Sequence, residues 1–426
     1  MATAQDIYEQ HESINERLAA GERVNRGRAL HHPKIGIYTG VGTSHSWLWF
    51  VDIFERLGFY DLFFLSENDI HGEGLGGLDV LVMSGGDTFT VAEGLGKKGA
   101  EKLENFIVNG GLYIGSCAGA YLPLNSSKEH LNLFNYVNVK ITNLTKALPE
   151  AKRVPEKFCT PYGCSFIFHP VREEVKLMTS GIAPFKGVES LVAPLYGGPS
   201  MLVSDGVEVL AYYEGFTSKT VFLVDNEIAR NIIIGNAAVV RKKMGEGHLY
   251  LFGPHFEHPH YPMANELLAD VINFEVKESV KAIRRSENDT KEIKGAEVKA
   301  LIRNLKRELS NSRIVGAALE MVPVHWLIGN KIYEPAKIRV FIESMWKRVR
   351  IIEKWYRVVV ENGNEKSMVE LASDITALLR LIRKYIIQGL DTEDLAAQLF
   401  GKLNILSTMF LDIYFKSKLL NRGCEA

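Results

Sequence analysis

Cysteine is scarce: four residues in 426, too few for a disulfide framework in a chain of this length. Long apolar runs are missing as well. No segment approaches the roughly 20 consecutive apolar residues of a spanning helix, so no membrane association is expected. The most apolar stretch, Ile314–Ile328, contains Glu320, Pro323 and His325 and reads as a buried helix or turn. Residues Met1–Arg23 lack the apolar centre of a secretory signal peptide, and a reducing cytoplasm is the expected location. Net charge is almost absent, at -1, yet that figure conceals a split. Up to Glu275 there are 23 Lys+Arg against 32 Asp+Glu, and after it 27 against 19. The two halves are expected to attract each other rather than to bind an anionic polymer. Charged faces such as Lys347-Arg348-Val349-Arg350 read as solvated helix surface. No nucleic-acid module is recognisable, and no nucleic-acid partner is expected.

A chain of this length suggests two domains. Residues 5–22 read as a surface helix within an N-terminal lead-in, 1–30. From 31 to 285, apolar runs alternate with helical patterns. The expected strands are Lys34–Thr39, Tyr60–Leu65, Leu78–Met83 and Leu112–Gly115, with helices over His45–Leu57 (capped by Ser44) and Lys97–Val108. A strand-rich stretch follows, with strands at Ser190–Pro194, Ser200–Val203, Val209–Tyr213, Ala237–Lys242 and His248–Phe252. A helix from Pro262 to Arg285 closes the unit. Such alternation implies an α/β fold with a doubly wound, mostly parallel sheet, whose working loops lie at the C-terminal strand ends. The polar stretch 286–296 is the expected linker. Beyond it, 297–426 reads as an all-α domain, with amphipathic patterns at Glu297–Leu309, Ile338–Glu361, Met368–Ile387 and Thr392–Leu420. That domain could serve oligomerisation, docking of a partner protein or covering of a cleft.

The chemistry concentrates in three places. Gly115-Ser116-Cys117-Ala118-Gly119 puts a thiol between small residues at a strand-to-helix junction, the makings of a nucleophile elbow. A helix starting at Ala118 would lower the thiol pKa through its N-terminal dipole; the alternative is a buried cysteine in a tight turn. Phe252-Gly-Pro-His255-Phe-Glu257 places an imidazole and a carboxylate two residues apart, on one side if extended. The carboxylate could orient the imidazole while the imidazole activates the thiol. His258 and His260 offer a rival reading as a metal cluster, but their spacing on a Pro-interrupted loop fits no common site. Cys159-Thr-Pro-Tyr-Gly-Cys164 with His169 reads as loop packing. Finally, Ser84-Gly85-Gly86-Asp87 at a strand end could point a backbone N–H of Gly86 into a cleft, and with that of Ala118 form an oxyanion hole.

Gly85-Gly86, the Cys117 elbow and His255-x-Glu257 together resemble the class I glutamine amidotransferase superfamily. More narrowly, the chain resembles the family named for the N-terminal domain of biotin-protein ligases. The likeness lies in Tyr38–Thr43, Val82–Gly86, Gly110–Tyr121, Leu195–Pro199 and Gly247–Glu257, spread over some 220 residues in the expected order. It implies a flavodoxin-like fold for 31–285. It also implies a triad of Cys117, His255 and Glu257 and an oxyanion hole from Gly86 and Ala118. Asp87, Tyr121, Tyr196 and Gly198 are the expected pocket residues. Glutaminase domains of this superfamily usually carry a Gln where this chain has Tyr121, so the resemblance does not specify glutamine as substrate. Nothing after Glu275 resembles a biotin ligase catalytic domain. The leading expectation is a thiol hydrolase or amidase acting on an amide, peptide or ester, with no cofactor and no metal. An inert ligand-binding or regulatory module, or a glutaminase subunit feeding ammonia to a synthetase, are the alternatives.

Overall fold

The computed structural model describes residues 33–147, 166–276, 290–361 and 363–422. No helix among them is long and apolar enough to cross a membrane. The lead-in helix at 5–22, the Cys159–Cys164 loop and the 277–285 end of the closing helix lie outside the described residues.

The first half alternates as its apolar spacing requires. In order come β1 (Ile35–Tyr38), α1 (Trp47–Arg56), β2 (Leu62–Leu65), α2 (Glu67–His71), β3 (Val80–Met83), α3 (Thr88–Val108), β4 (Leu112–Ser116) and α4 (Ala118–Tyr121). The four strands run parallel in the order β2-β1-β3-β4, each crossover carrying a helix. Two helix starts differ from expectation. Helix α1 begins after Ser46, not Ser44, and neither serine caps it; both hydroxyls donate to Gly85 O instead. Helix α3 has an unexpected first segment from Thr88, which Asp87 caps by accepting the N–H groups of Phe89 and Thr90, and a break at Gly96 (φ 52, ψ -162) separates it from the expected Lys97–Val108 helix.

Antiparallel strands follow: β5 (Val139–Ile141), β6 (Val171–Thr179), β7 (Ser190–Leu195), β8 (Met201–Val203), β9 (Glu208–Phe216) and β10 (Val221–Phe222), then α5 (Asn226–Ile233), β11 (Ala237–Met244), β12 (Gly247–Phe252) and α6 (Pro262–Glu275). Strand β12 lies parallel to β4, while β11, β9 and β6 extend the sheet antiparallel. The result is a mixed α/β unit with a largely parallel central sheet and an antiparallel wing. Strand β6 escaped the sequence reading because its outward positions are charged; Val171, Val175 and Leu177 are fully buried.

Alternation of side chains across the strands splits the core. Ile35, Ile37, Val80, Val82, Leu112 and Ile114 pack with α1, whereas Leu81, Met83 and Tyr113 pack with α3 on the other face. The first cluster runs on into the C-terminal helices.

That C-terminal region is helical but not all-α. It comprises β13 (Thr290–Lys294), α7 (Ala296–Glu320), β14 (Trp326–Ile328), β15 (Lys331–Tyr333), α8 (Pro335–Ile352), β16 (Arg357–Glu361), α9 (Asn364–Ile387) and α10 (Glu393–Arg422). Strand β13, inside the expected linker, pairs antiparallel with β16, inside an expected helix. The β-branched run Val358-Val359-Val360 favours extended backbone and buries alternate residues. Nor is Ile314–Ile328 a single buried segment. It ends α7 with Ile314 exposed, then turns into a β14–β15 hairpin.

Opposite charges from the two halves meet where these helices dock. Arg348 of α8, wholly buried, binds Asp52 at 2.9 Å and Glu55 at 2.7 Å on α1, and Tyr414 and Lys418 of α10 also bind Glu55. Nearby, Asn404 accepts from Trp47 Nε1 at 2.9 Å and donates to Thr39 O at 2.6 Å.

Candidate active site

Cys117 sits where β4 passes into α4, with φ 52 and ψ -107, a region that non-glycine residues seldom enter. Small neighbours make the bend feasible. A Cβ at Gly115 would lie 2.3 Å from Gly119 O, and one at Gly119 would lie 2.0 Å from Met83 O. The bend holds the thiol at the C-terminal edge of the parallel strands. There β12, in register with β4 through the Phe252–Ser116 pair, delivers its own following loop.

That loop carries His255 and Glu257. It is a turn rather than the extended segment expected, with the His258 N–H donating to His255 O. The two side chains meet nonetheless: His255 Nδ1 is 2.6 Å from Glu257 Oε1. Both residues are buried, and the carboxylate also accepts the Ser116 hydroxyl, at 2.9 Å from each oxygen. With Nδ1 engaged, Nε2 is the ring nitrogen left for the thiol, whose Sγ lies 4.0 Å from Tyr196 O.

The electrostatics of this trio are coherent. Burial alone would push the Cys117 thiol up, but the neighbouring His255 imidazole, with the Lys331 ammonium, outweighs it and holds the thiol below its ordinary value. Burial would push His255 down, yet the Glu257 carboxylate and the Cys117 sulfur raise it to about 9. A thiolate–imidazolium pair is the state both shifts favour. The helix dipole expected to activate the thiol has little to offer, since α4 spans only four residues.

The trio opens into a cavity of about 580 Å³. Gly86 and Ala118 line it, and among the described residues no acceptor meets either backbone N–H. Glycine at position 86 is dictated by Gly42 O, which would lie 2.1 Å from a Cβ. Tyr121 and Tyr196 also line the cavity; the first donates to Gly197 O at 3.1 Å and the second to Glu173 Oε2 at 2.9 Å. Asp87 reaches it too, though its carboxylate is spent on capping α3 and on Asn330. Gly198 does not line the cavity: it packs against Gly253, whose carbonyl leaves no room for a Cβ, and Gly197 takes the lining position.

One part of the cavity wall differs in origin from the expected pocket residues. Asn330, Lys331, Ile332, Glu334 and Lys337 come from the β14–β15 hairpin and the start of α8. The hairpin had a signal, because Gly329-Asn330 separates two short runs rich in apolar residues. Ser116, from the elbow segment itself, was also missed as the partner of Glu257. On the α/β side, His45, His169 and Arg172 join the wall. Burial takes His169 down to about 3, and Nδ1 of both His45 and His169 lacks a hydrogen-bond partner among the described residues. His258 packs edge-on to Trp49, at 4.6 Å between ring centroids, and burial holds it down to about 3. Among the described residues no group of three or more His, Cys, Asp or Glu side chains is arranged to hold a metal ion.

Among solved structures, the chain is similar to a β-galactosidase from Bacillus circulans sp. alkalophilus, at 12% identity and TM-score 0.34, over 61% of this chain and 35% of that one. It therefore spans about a third of that protein's length. It is also similar to a cytoplasmic protein from Salmonella typhimurium, at 13% identity and TM-score 0.36, over 57% of this chain and 98% of the other. A ThuA-like protein from Bacteroides uniformis gives 15% identity and TM-score 0.36, over 60% and 96%. No curated protein matches the chain. Residues 34–130, running from β1 through the Cys117 turn and stopping short of His255, match the family model described as biotin-protein ligase, N terminal.

Proposed function

We propose that this protein is a cytoplasmic thiol hydrolase or amidase, built on a flavodoxin-like, class I glutamine amidotransferase-like domain. Residues 31–285 would be that domain, with the helical region as its cover. The observation that carries the reading is the strained Cys117 beside a buried His255 whose Nδ1 is fixed 2.6 Å from Glu257. A backbone at positive φ in a buried position is costly and persists where the surroundings over-determine it. A buried imidazole–carboxylate pair beside a thiol has the roles of nucleophile, proton carrier and orienting group in one line.

In this reading the Cys117 thiolate attacks the carbonyl carbon of an amide or ester. The resulting oxyanion takes up the N–H groups of Gly86 and Ala118. His255, protonated at the start, gives its proton to the leaving nitrogen or oxygen as that bond breaks. The ring then accepts a proton from water as water attacks the thioester. Glu257, steadied by Ser116, holds the ring tautomer throughout.

The test is the pH–rate profile of iodoacetamide alkylation at Cys117 in the wild type and in His255→Ala, read by mass spectrometry. The expected result is a midpoint below the roughly 8.5 of free cysteine, rising in the variant. A midpoint at the free-cysteine value in both proteins would overturn the hydrolase reading and leave a ligand-binding module.

A further inference from the structure

Lys331 opens β15 of the hairpin and lines the cavity, partly buried, on the wall formed by the C-terminal region. Among the described residues no carboxylate lies within ion-pair distance of it, and no side-chain or carbonyl oxygen accepts from it. Asp87 is near enough for its charge to be felt, but its two oxygens already accept Phe89 N–H, Thr90 N–H and hydroxyl, and both nitrogens of Asn330. The two remaining acids of the cavity are Glu173, engaged by Tyr196, and Glu334, whose charge acts on Lys337.

Three further cations line the same space. Arg172 lies over the Tyr196 ring, Lys337 donates to Ile332 O, and Arg339 is paired with Glu320. Burial lowers the Lys331 pKa, with Arg172 lowering it and Cys117 and Asp87 raising it; burial, Lys331 and Arg172 lower that of Lys337 against Glu334. An ammonium drawn into a cavity wall, with no acceptor among the described residues, is costly, and a bound anion would offset that cost. The Cys117 thiolate is close enough to interact with Lys331, but it is a single charge already paired with His255. An acyl substrate whose carbonyl faces Cys117 would project its next few atoms toward the hairpin wall.

We propose that the cavity takes acyl substrates bearing a carboxylate, and that Lys331 is the residue that holds that carboxylate while Cys117 faces the carbonyl. This rests on the thiol-hydrolase reading for its second half only; the carboxylate site stands on the cavity and on an ammonium that no acceptor among the described residues meets. It also gives the helical region a part in substrate choice, since the specificity residue comes from there.

Two arms test this on the full-length protein. In the first, Cys117 is alkylated by iodoacetate and by iodoacetamide, which deliver similar alkyl groups and differ in charge. Any change in thiolate fraction affects both reagents alike, so the ratio of their rates isolates the anion. The iodoacetate-to-iodoacetamide ratio is expected to fall about tenfold in Lys331→Met and to recover in Lys331→Arg. An equal loss with both reagents would assign Lys331 to the thiol alone and overturn the proposal. In the second arm, glutarate and inorganic phosphate are titrated calorimetrically into Cys117→Ala, where no covalent step can occur. Glutarate binding that weakens about tenfold on adding Lys331→Met supports the site. Binding of phosphate alone, or glutarate binding indifferent to Lys331, overturns it. Should Cys117 alkylate like free cysteine while glutarate still depends on Lys331, the hydrolase reading falls and the carboxylate site remains.

Discussion

Asn330 holds Asp87 twice: its backbone N–H at 2.9 Å and its side-chain amide at 3.1 Å both donate to Asp87 Oδ2. One carboxylate thus starts helix α3 and seats the hairpin that walls the cavity. Asp87→Ala is expected to destabilise the protein by about 2 kcal/mol, from the lost cap and the orphaned amide. It should also loosen the hairpin, seen as faster deuterium exchange over 326–333. Stability loss with unchanged exchange there would mean that the hairpin is held by its apolar contacts alone.

Glu257 accounts for much of the elevation of His255. Burial opposes a charged ring, and the Glu257 carboxylate, with the Cys117 sulfur, raises it to about 9 all the same. Because this lies above the roughly 6.5 of an unfolded histidine, the stability that His255 contributes is complete below that value. It is lost as pH climbs through the folded value. Glu257→Gln keeps the shape and removes the charge. The imidazole titration followed by NMR is expected to drop by about 1–2 pH units. A titration that stays in place would show that Cys117, rather than Glu257, sets the protonation of the ring.

Lys337 makes the opposite kind of contribution. Burial, with Lys331 adding to it, takes its ammonium down to about 7. An unfolded lysine titrates near 10.4, so the unfolded chain binds more protons between these values and stability rises with pH across that window. Below the window the fold bears the whole cost of the buried charge. Lys337→Met is therefore expected to raise Tm most in neutral and acidic buffers, with the advantage shrinking as the solution is made alkaline. A Tm difference that is flat with pH would show the ammonium to be solvated.

The positive φ of Cys117 sets up a comparison of two variants that lack the thiol. Glycine accepts φ 52 freely, whereas alanine does not. Cys117→Gly is expected to be more stable than Cys117→Ala by about 1 kcal/mol in urea melts, against the usual order for a buried position. If alanine proves the more stable, the turn relaxes on losing the sulfur and the strain belongs to the thiol's contacts.

These residues also show what a reader of the sequence could and could not find. Gly115-Ser-Cys-Ala-Gly119 declares its turn because each glycine faces a backbone carbonyl too close for any side chain. His255 and Glu257 were found by their spacing, although the turn that joins them differs from the extended segment assumed. Both cases are local, within reach of a short window. Lys331 is not, because its meaning comes from a cavity whose other wall is drawn from positions between 44 and 258. Strand β6 and the β13–β16 pair are harder to read for a related reason: charged residues such as Lys176, Lys291 and Glu292 interrupt their apolar pattern, and only their partners reveal the buried face. Gly198 was misassigned by one position, since a Gly-Gly pair does not say which member faces the ligand.

Asn404 and Trp47, joined at 2.9 Å, stand 357 positions apart in the chain. Synthesis runs from the N-terminus, so the α/β unit leaves the ribosome well before the helices that cover it. During that interval the nascent chain would carry Cys117 and His255 with the mouth of the cavity open and Arg348 not yet seated between Asp52 and Glu55. Selectivity, on this view, is acquired after reactivity: the thiol is made with the α/β unit, and the hairpin that walls its cavity is made later.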